Sequence, residues 1–115
     1  MAWTFGTFRL DPDRHELTRA GVSVPVEPQV FAVLAHLMRH SDRVVAKDEL
    51  AEAVWPGVAV SDASIASRIR SARAALGDDG TRQEMIRTVH GVGFRFVAGL
   101  TTGSAAFAMP AAVAP

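Results

Sequence analysis

A chain of 115 residues, 49% hydrophobic and 21% charged, carries enough apolar material for one compact domain and little beyond it. With no cysteine, disulfide frameworks, thiolate zinc sites and cysteine nucleophiles are all excluded, and that usage suits a reducing cytoplasm, the compartment we expect. Twelve basic residues balance twelve acidic ones, so any attraction for a polyanion must come from where the charges lie rather than from their sum. The segment Met1-Ala2-Trp3-Thr4-Phe5 has neither a basic n-region nor an apolar run, and no stretch of about 20 apolar residues exists, so neither a signal peptide nor a membrane partner is expected.

The first 25 residues read as a small antiparallel meander. Phe5, Phe8 and Leu10 lead into the turn Asp11-Pro12-Asp13-Arg14, and His15–Thr18 and Val22–Val24 flank Arg19-Ala20-Gly21. Pro28 suits a first helical position. Val30, Phe31, Val33, Leu34, Leu37 and Met38 then recur at helical spacing, which predicts a helix over Pro28–Arg39. A shorter helix is expected over Lys47–Val54. Asp48 and Glu49 favour its first turn through the helix dipole, and Trp55-Pro56-Gly57 ends it.

A third helix opens at Ser61 or Asp62, either of which can cap it, and runs to about Leu76, where Gly77-Asp78-Asp79-Gly80 closes it. Ile86–Val89 and Phe94–Val97 read as strands joined by His90-Gly91-Val92-Gly93, a hairpin. From Gly99 to Pro115 the chain is uncharged and rich in Ala, Gly, Thr and Ser, so residues 1–98 are expected to form the domain and 99–115 a disordered tail or linker.

The third helix carries the functional signal. With Ile65, Ile69, Ala72 and Leu76 facing the core, helical geometry turns Ala63, Ser64, Ser67, Arg70, Ser71 and Ala74 outward and sets Arg68 and Arg73 on the flanks. A solvated face normally pairs Glu with Lys at i,i+4, and this one has no acid between Ala63 and Leu76. Small residues admit close approach to a surface, serine hydroxyls reach base edges or phosphates, and arginine binds guanine or phosphate. The plainer alternative is compositional, because eleven of the twelve basic residues are arginine. Context favours the reader: helix, short helix, turn and basic helix is a helix-turn-helix order, and the hairpin that follows sits where a wing would. On or beside it lie Arg87, Thr88, His90 and Arg95.

The sequence resembles the winged-helix effector domain of OmpR/PhoB-type transcriptional regulators over about Phe5–Ala98. The motifs are Phe8-Arg9-Leu10-Asp11, Glu27-Pro28-Gln29-Val30-Phe31, Val45-Ala46-Lys47-Asp48-Glu49-Leu50, Val54-Trp55-Pro56-Gly57, Val60-Ser61-Asp62-Ala63-Ser64-Ile65, Ala74-Ala75-Leu76-Gly77-Asp78 and the wing from Ile86 to Phe96. The resemblance implies an α+β fold: a winged helix-turn-helix with a four-stranded N-terminal antiparallel sheet, three helices and a C-terminal β-hairpin wing. It places Ser64, Arg68, Arg70, Ser71 and Arg73 on DNA- or phosphate-facing positions and Thr88 and His90 on the wing. It also matches Trp55–Val60, with Trp55, Pro56, Gly57 and Val58 as the expected contacts, to a loop that often touches RNA polymerase in activators. Departures are short Ala63 and Ser71 where longer polar residues are common, His90 in place of Arg, and Ala46 in place of a capping Ser. Met1 directly precedes the domain, which resembles the branch with an N-terminal winged helix and no receiver ahead of it.

The expected function is therefore sequence-specific binding of double-stranded DNA for transcription regulation, as a dimer or tandem pair. Helix 62–76 would lie in the major groove and hairpin 86–97 would act as the wing. Ser64, Ser67, Arg68, Arg70, Ser71, Arg73, Thr88, His90 and Arg95 are the expected contacts. The alternatives are a winged-helix module that binds RNA polymerase or another regulator without reading DNA, and a regulatory piece of an enzyme continuing past Pro115. No Gly-x-Ser-x-Gly elbow supports hydrolase chemistry, and neither enzymatic activity nor a cofactor is expected. His36 and His40 lie one turn apart and could hold a metal. No third ligand is evident for them, so no metal is expected and two surface or half-buried histidines are the simpler reading.

Overall fold

A computed structural model describes residues 2–99 and 101–102. In chain order the elements are β1 (Trp3–Phe5), β2 (Phe8–Asp11), β3 (Glu16–Arg19), β4 (Val22–Ser23), α1 (Pro28–Arg39), β5 (Val45–Ala46), α2 (Lys47–Val54), α3 (Asp62–Ala75), β6 (Ile86–Val89), β7 (Gly93–Phe96) and β8 (Thr101–Thr102). The described residues fall into two compact units: 2–24 with 99 and 101–102, and Pro25–Ala98.

The first unit is an antiparallel sheet in the order β4-β3-β2-β1-β8. Its alternation is visible in the register, which pairs Trp3 with Leu10 and Leu10 with Leu17, three buried residues on neighbouring strands. The β2–β3 turn closes as the sequence suggests, because Asp11 Oδ1 accepts from the backbone N–H groups of Asp13 and Arg14 at 3.0 and 3.2 Å. Phe5 stacks on Phe8 at 5.3 Å between ring centroids, and Arg19 lies over the Phe8 ring.

The tail reading is corrected at two positions. Thr101 and Thr102 pair with Thr4 and Trp3 as β8, so the sheet has five strands where four were expected. A sheet edge offers unpaired N–H and C=O groups to any extended segment, a non-local attraction that composition does not reveal. Residue 100 and residues 103–115 of the expected tail lie outside the described residues.

The second unit is organised around α1. Val30, Phe31, Val33, Leu34, Ala35, Leu37 and Met38 are all buried, because α1 packs against α2 and α3 and also against β7. Pro28 begins the helix, as its missing N–H allows. A second sheet, in the order β5-β7-β6, covers another side of this core with Val45, Ile86, Phe94 and Phe96. The two-residue strand β5 was not expected from sequence. It is fixed by Gly93, where a Cβ would meet the carbonyl oxygen of Val45 at 1.9 Å, so only glycine permits this approach of β7 to β5.

That pairing positions α2 in turn. Ala46, paired with Gly93, is the N-cap residue of α2 and supplies no side-chain cap, as its loss of the usual serine suggested. The first turn is held by side chains instead. Arg43 donates to both oxygens of Glu49 at 2.8 and 2.7 Å, and His36 Nε2 lies 2.9 Å from Glu49 Oε2. The hydrogen bonds from Arg43, and then from His36, pull the Glu49 carboxyl down to about 2.

Candidate nucleic-acid interface

Helix α3 is secured at both ends by its own sequence. Ser61 is the N-cap, its hydroxyl accepting from the Ser64 N–H at 3.1 Å, which settles the choice between Ser61 and Asp62. At the other end Gly77, at φ 71°, turns the chain into a Schellman closure. There the Gly77 N–H reaches the Ala74 carbonyl and the Asp78 N–H reaches that of Arg73. Ile65, Ile69, Ala72 and Leu76 are buried as the periodicity predicts.

With that stripe inside, Ala63, Ser64, Ala66, Arg70, Ser71 and Ala74 are exposed, and Ser67 and Arg68 are half-buried. Asp62 in the first turn, 3.5 Å from Lys47 Nζ, is the nearest acid on the helix itself. Arg68 is not a loose side chain, because its Nε donates to Gln29 Oε1 at 2.9 Å from the start of α1. Arg70 lines a cleft of about 340 Å³ with Arg73, Ala74, Asp78, Asp79 and Gly80.

Arg73 must be corrected. It is buried, its Nε donates to the Ile86 carbonyl at 3.1 Å, and its Nη2 donates to Thr88 Oγ1 at 2.7 Å. Burial draws the guanidinium below its usual pKa, opposed by the charges of Asp78 and Asp79. Its position about 70° from the centre of the helix's core stripe looks peripheral on a helical wheel, yet the strand packed there turns that flank inward. Thr88 is corrected with it: half-buried, its hydroxyl receives Arg73, and its backbone N–H donates to Gln83 Oε1. These two residues brace α3 against β6.

Asp78 completes the brace. Burial disfavours its charge, but the backbone N–H groups of Glu84, Met85, Asp79 and Ile86 outweigh that and hold the carboxyl below its usual range. Asp79 likewise accepts from the N–H groups of Thr81 and Arg82, and Arg82 is tied back to Asp79 and to the Gly77 carbonyl. The loop between α3 and β6 thus consumes Arg82 internally.

The hairpin β6–β7 is in register with Arg87 opposite Arg95 and Thr88 opposite Phe94. Ile86, Phe94 and Phe96 face the core, whereas Arg87, Arg95, His90 and Val92 are exposed. Like charges placed opposite one another across two strands destabilise a hairpin in water. Arg87, which the sequence placed on the hairpin but not among the expected contacts, belongs with the candidate residues, because the register sets it opposite Arg95 with both side chains exposed. Arg95 also donates from Nε to the Ser41 carbonyl at 3.5 Å.

In the loop between α2 and α3, Trp55 is half-buried, whereas Pro56, Gly57 and Val58 are exposed, Val58 at 60%. No helix among the described residues is long and apolar enough to cross a membrane.

A short helix, a turn, a serine- and arginine-faced helix and a two-arginine hairpin in this order define a winged helix-turn-helix. Residues 21–96 match the family described as "Transcriptional regulatory protein, C terminal", and the chain belongs to that OmpR/PhoB-type family of DNA-binding domains of transcription regulators, which are not enzymes. It is 34% identical over 88 residues to the phosphate regulon transcriptional regulatory protein PhoB of Escherichia coli, covering 76% of this chain and 38% of that protein. It is 33% identical over 91 residues to the response regulator protein PmrA of Pseudomonas aeruginosa, covering 77% and 38%. The chain therefore spans less than half the length of these relatives. Among solved structures, the RstA DNA-binding domain of Klebsiella pneumoniae in complex with the RstA box is similar at a TM-score of 0.74 and 27% identity, over 83% of this chain and 95% of that one.

Proposed function

We propose that the domain reads double-stranded DNA in a sequence-specific way, with α3 in the major groove and the β6–β7 hairpin as a wing on the adjacent backbone. The observation that carries the reading is the outer face of α3: Ser64, Arg70 and Ser71 are exposed together, with small Ala63, Ala66 and Ala74 between them and no acid on that face. Ser67 and Arg68 border it, Arg68 oriented by Gln29 toward a phosphate or base edge. Arg87, Arg95 and His90 supply the wing, where a polyanion relieves the repulsion between the opposed arginines. Arg73 and Thr88 act by fixing the angle between helix and wing. Zero net charge makes the affinity of one domain modest, so binding as a dimer or tandem pair on repeated half-sites belongs to the same proposal. It would work in the cytoplasm, where that DNA lies.

A gel-shift titration against genomic fragments at two salt concentrations tests this. Selective binding that weakens with salt supports it, and no shift even at about 50 mM salt overturns it. A second reading, contact with RNA polymerase or another regulator, is favoured by exposed Val58, which shares a cleft of about 310 Å³ with Asp48, Glu52 and Asp62. On that reading Trp55, Pro56, Gly57 and Val58 form the contact, and Val58→Asp abolishes activation while leaving DNA binding intact.

A further inference from the structure

The half-buried cluster at the C-terminal end of α1 is not used by any step of DNA reading. His36 and His40 stand one helical turn apart with ring centroids 4.6 Å from each other, and Glu49 comes to them from the first turn of α2. One ligand atom from each of the three lies within 4.8 Å of the other two, and His36 Nε2 is already 2.9 Å from Glu49 Oε2. Sequence spacing revealed the two histidines but not the carboxylate, because Glu49 is brought in by the fold from thirteen residues beyond His36.

We propose that His36, His40 and Glu49 form a binding site for a divalent transition metal of the zinc class. Two imidazoles and one carboxylate are borderline donors that suit zinc, nickel or copper rather than calcium or magnesium. A tetrahedral zinc with bonds of about 2.0–2.1 Å sets its ligand atoms about 3.3 Å apart, so the cluster needs only rotamer adjustment to close. Histidines at i and i+4 on one helix face supply the pair of nitrogen donors that such a closure requires. The end of α1 adds to it, since the carbonyl groups of a helix C-terminus favour a cation. Three protein ligands leave a fourth position to water.

Arg43 is the competitor. It occupies both oxygens of Glu49, and its side chain is 45% exposed, so it can swing into solvent as a metal takes its place. The bound metal would tie the end of α1 to the start of α2, a link that stabilises the folded chain by mass action.

The test is titration of the full chain with zinc alone, and separately with cobalt, whose visible absorption reports coordination. Calorimetry and thermal denaturation are followed alongside. The expected result is one saturable site, a zinc-dependent rise in Tm, and binding weakened at least about tenfold in both His40→Gln and Glu49→Gln. Arg43→Gln should tighten binding by removing the competitor. His40→Gln leaves the Arg43–Glu49 pair in place, so its folding does not confuse the reading. A double His15→Gln/His90→Gln variant should bind as the parent does. Unchanged affinity in His40→Gln, loss in the His15/His90 variant, or no saturable site at millimolar zinc overturns the proposal.

Discussion

The two helices of the helix-turn-helix are built on opposite plans. Helix α3 carries its own fastenings, Ser61 at one end and the Gly77 closure at the other, with Arg73 reaching from its flank to β6. Helix α2 has no side-chain cap and only Leu50 fully buried, and it is held from outside by β5 and by the Arg43–Glu49–His36 contacts. A helix fastened at its ends needs nothing from its outer face, and α3 can leave that face to a partner. The short α2 has less freedom, since Glu49 in its first turn is engaged by Arg43 and His36.

The comparison can be broken most severely at Gly93. Gly93→Val forces β7 away from β5 and removes the platform of α2, and a loss of about 3 kcal/mol or more is expected in chemical denaturation. Next comes the brace of α3. Arg73→Met leaves the Ile86 carbonyl and the Thr88 hydroxyl without their donor, at a cost of about 2–3 kcal/mol in the same measurement. Arg70→Ala is its counterpart. Stability should hold within experimental scatter while DNA affinity falls by about 1–3 kcal/mol, and an equal loss on random duplex would make Arg70 a phosphate contact.

Smaller effects sharpen the contrast between the ends. Ser61→Ala should cost α3 about 1 kcal/mol, whereas Ala46→Ser should stabilise α2 by a comparable amount by adding the cap it lacks. The pH dependence follows from Asp78. Its folded pKa lies below the ordinary carboxylate value, so its contribution is complete above the unfolded pKa near 3.8 and is lost as pH falls through the lower folded value. Asp78→Asn should therefore be less stable at neutral pH and flatten the acid limb of the stability curve.

Local periodicity and end signals made the helices legible. Pro28–Arg39 and Lys47–Val54 match their expected bounds, and α3 ends one residue before the expected Leu76. The strands β5 and β8 were not legible, because each pairs with a strand distant in sequence, β5 with β7 and β8 with β1, whereas the equally short β4 pairs with its neighbour β3. The candidate interface divides in the same way. Ser64, Arg70, Ser71, His90 and Arg95 are exposed where the pattern put them, but Arg73 and Thr88 turn inward. A helical wheel knows one helix, and the identity of a flank depends on the strand that packs against it. Glu49 escaped for a related reason: its signal lies in His36, thirteen residues away in sequence.

The Arg73 link between α3 and β6 also makes the helix and the hairpin a gauge of fixed span. On the proposed reading, such a gauge would not adjust its jaws to the duplex. A site whose groove-to-backbone distance fits would be gripped without distortion, and one that does not would have to bend or narrow before it is held. Base steps that no side chain touches would then enter the choice of operator through their stiffness, and loosening the gauge at Thr88 would broaden that choice before it weakened the grip.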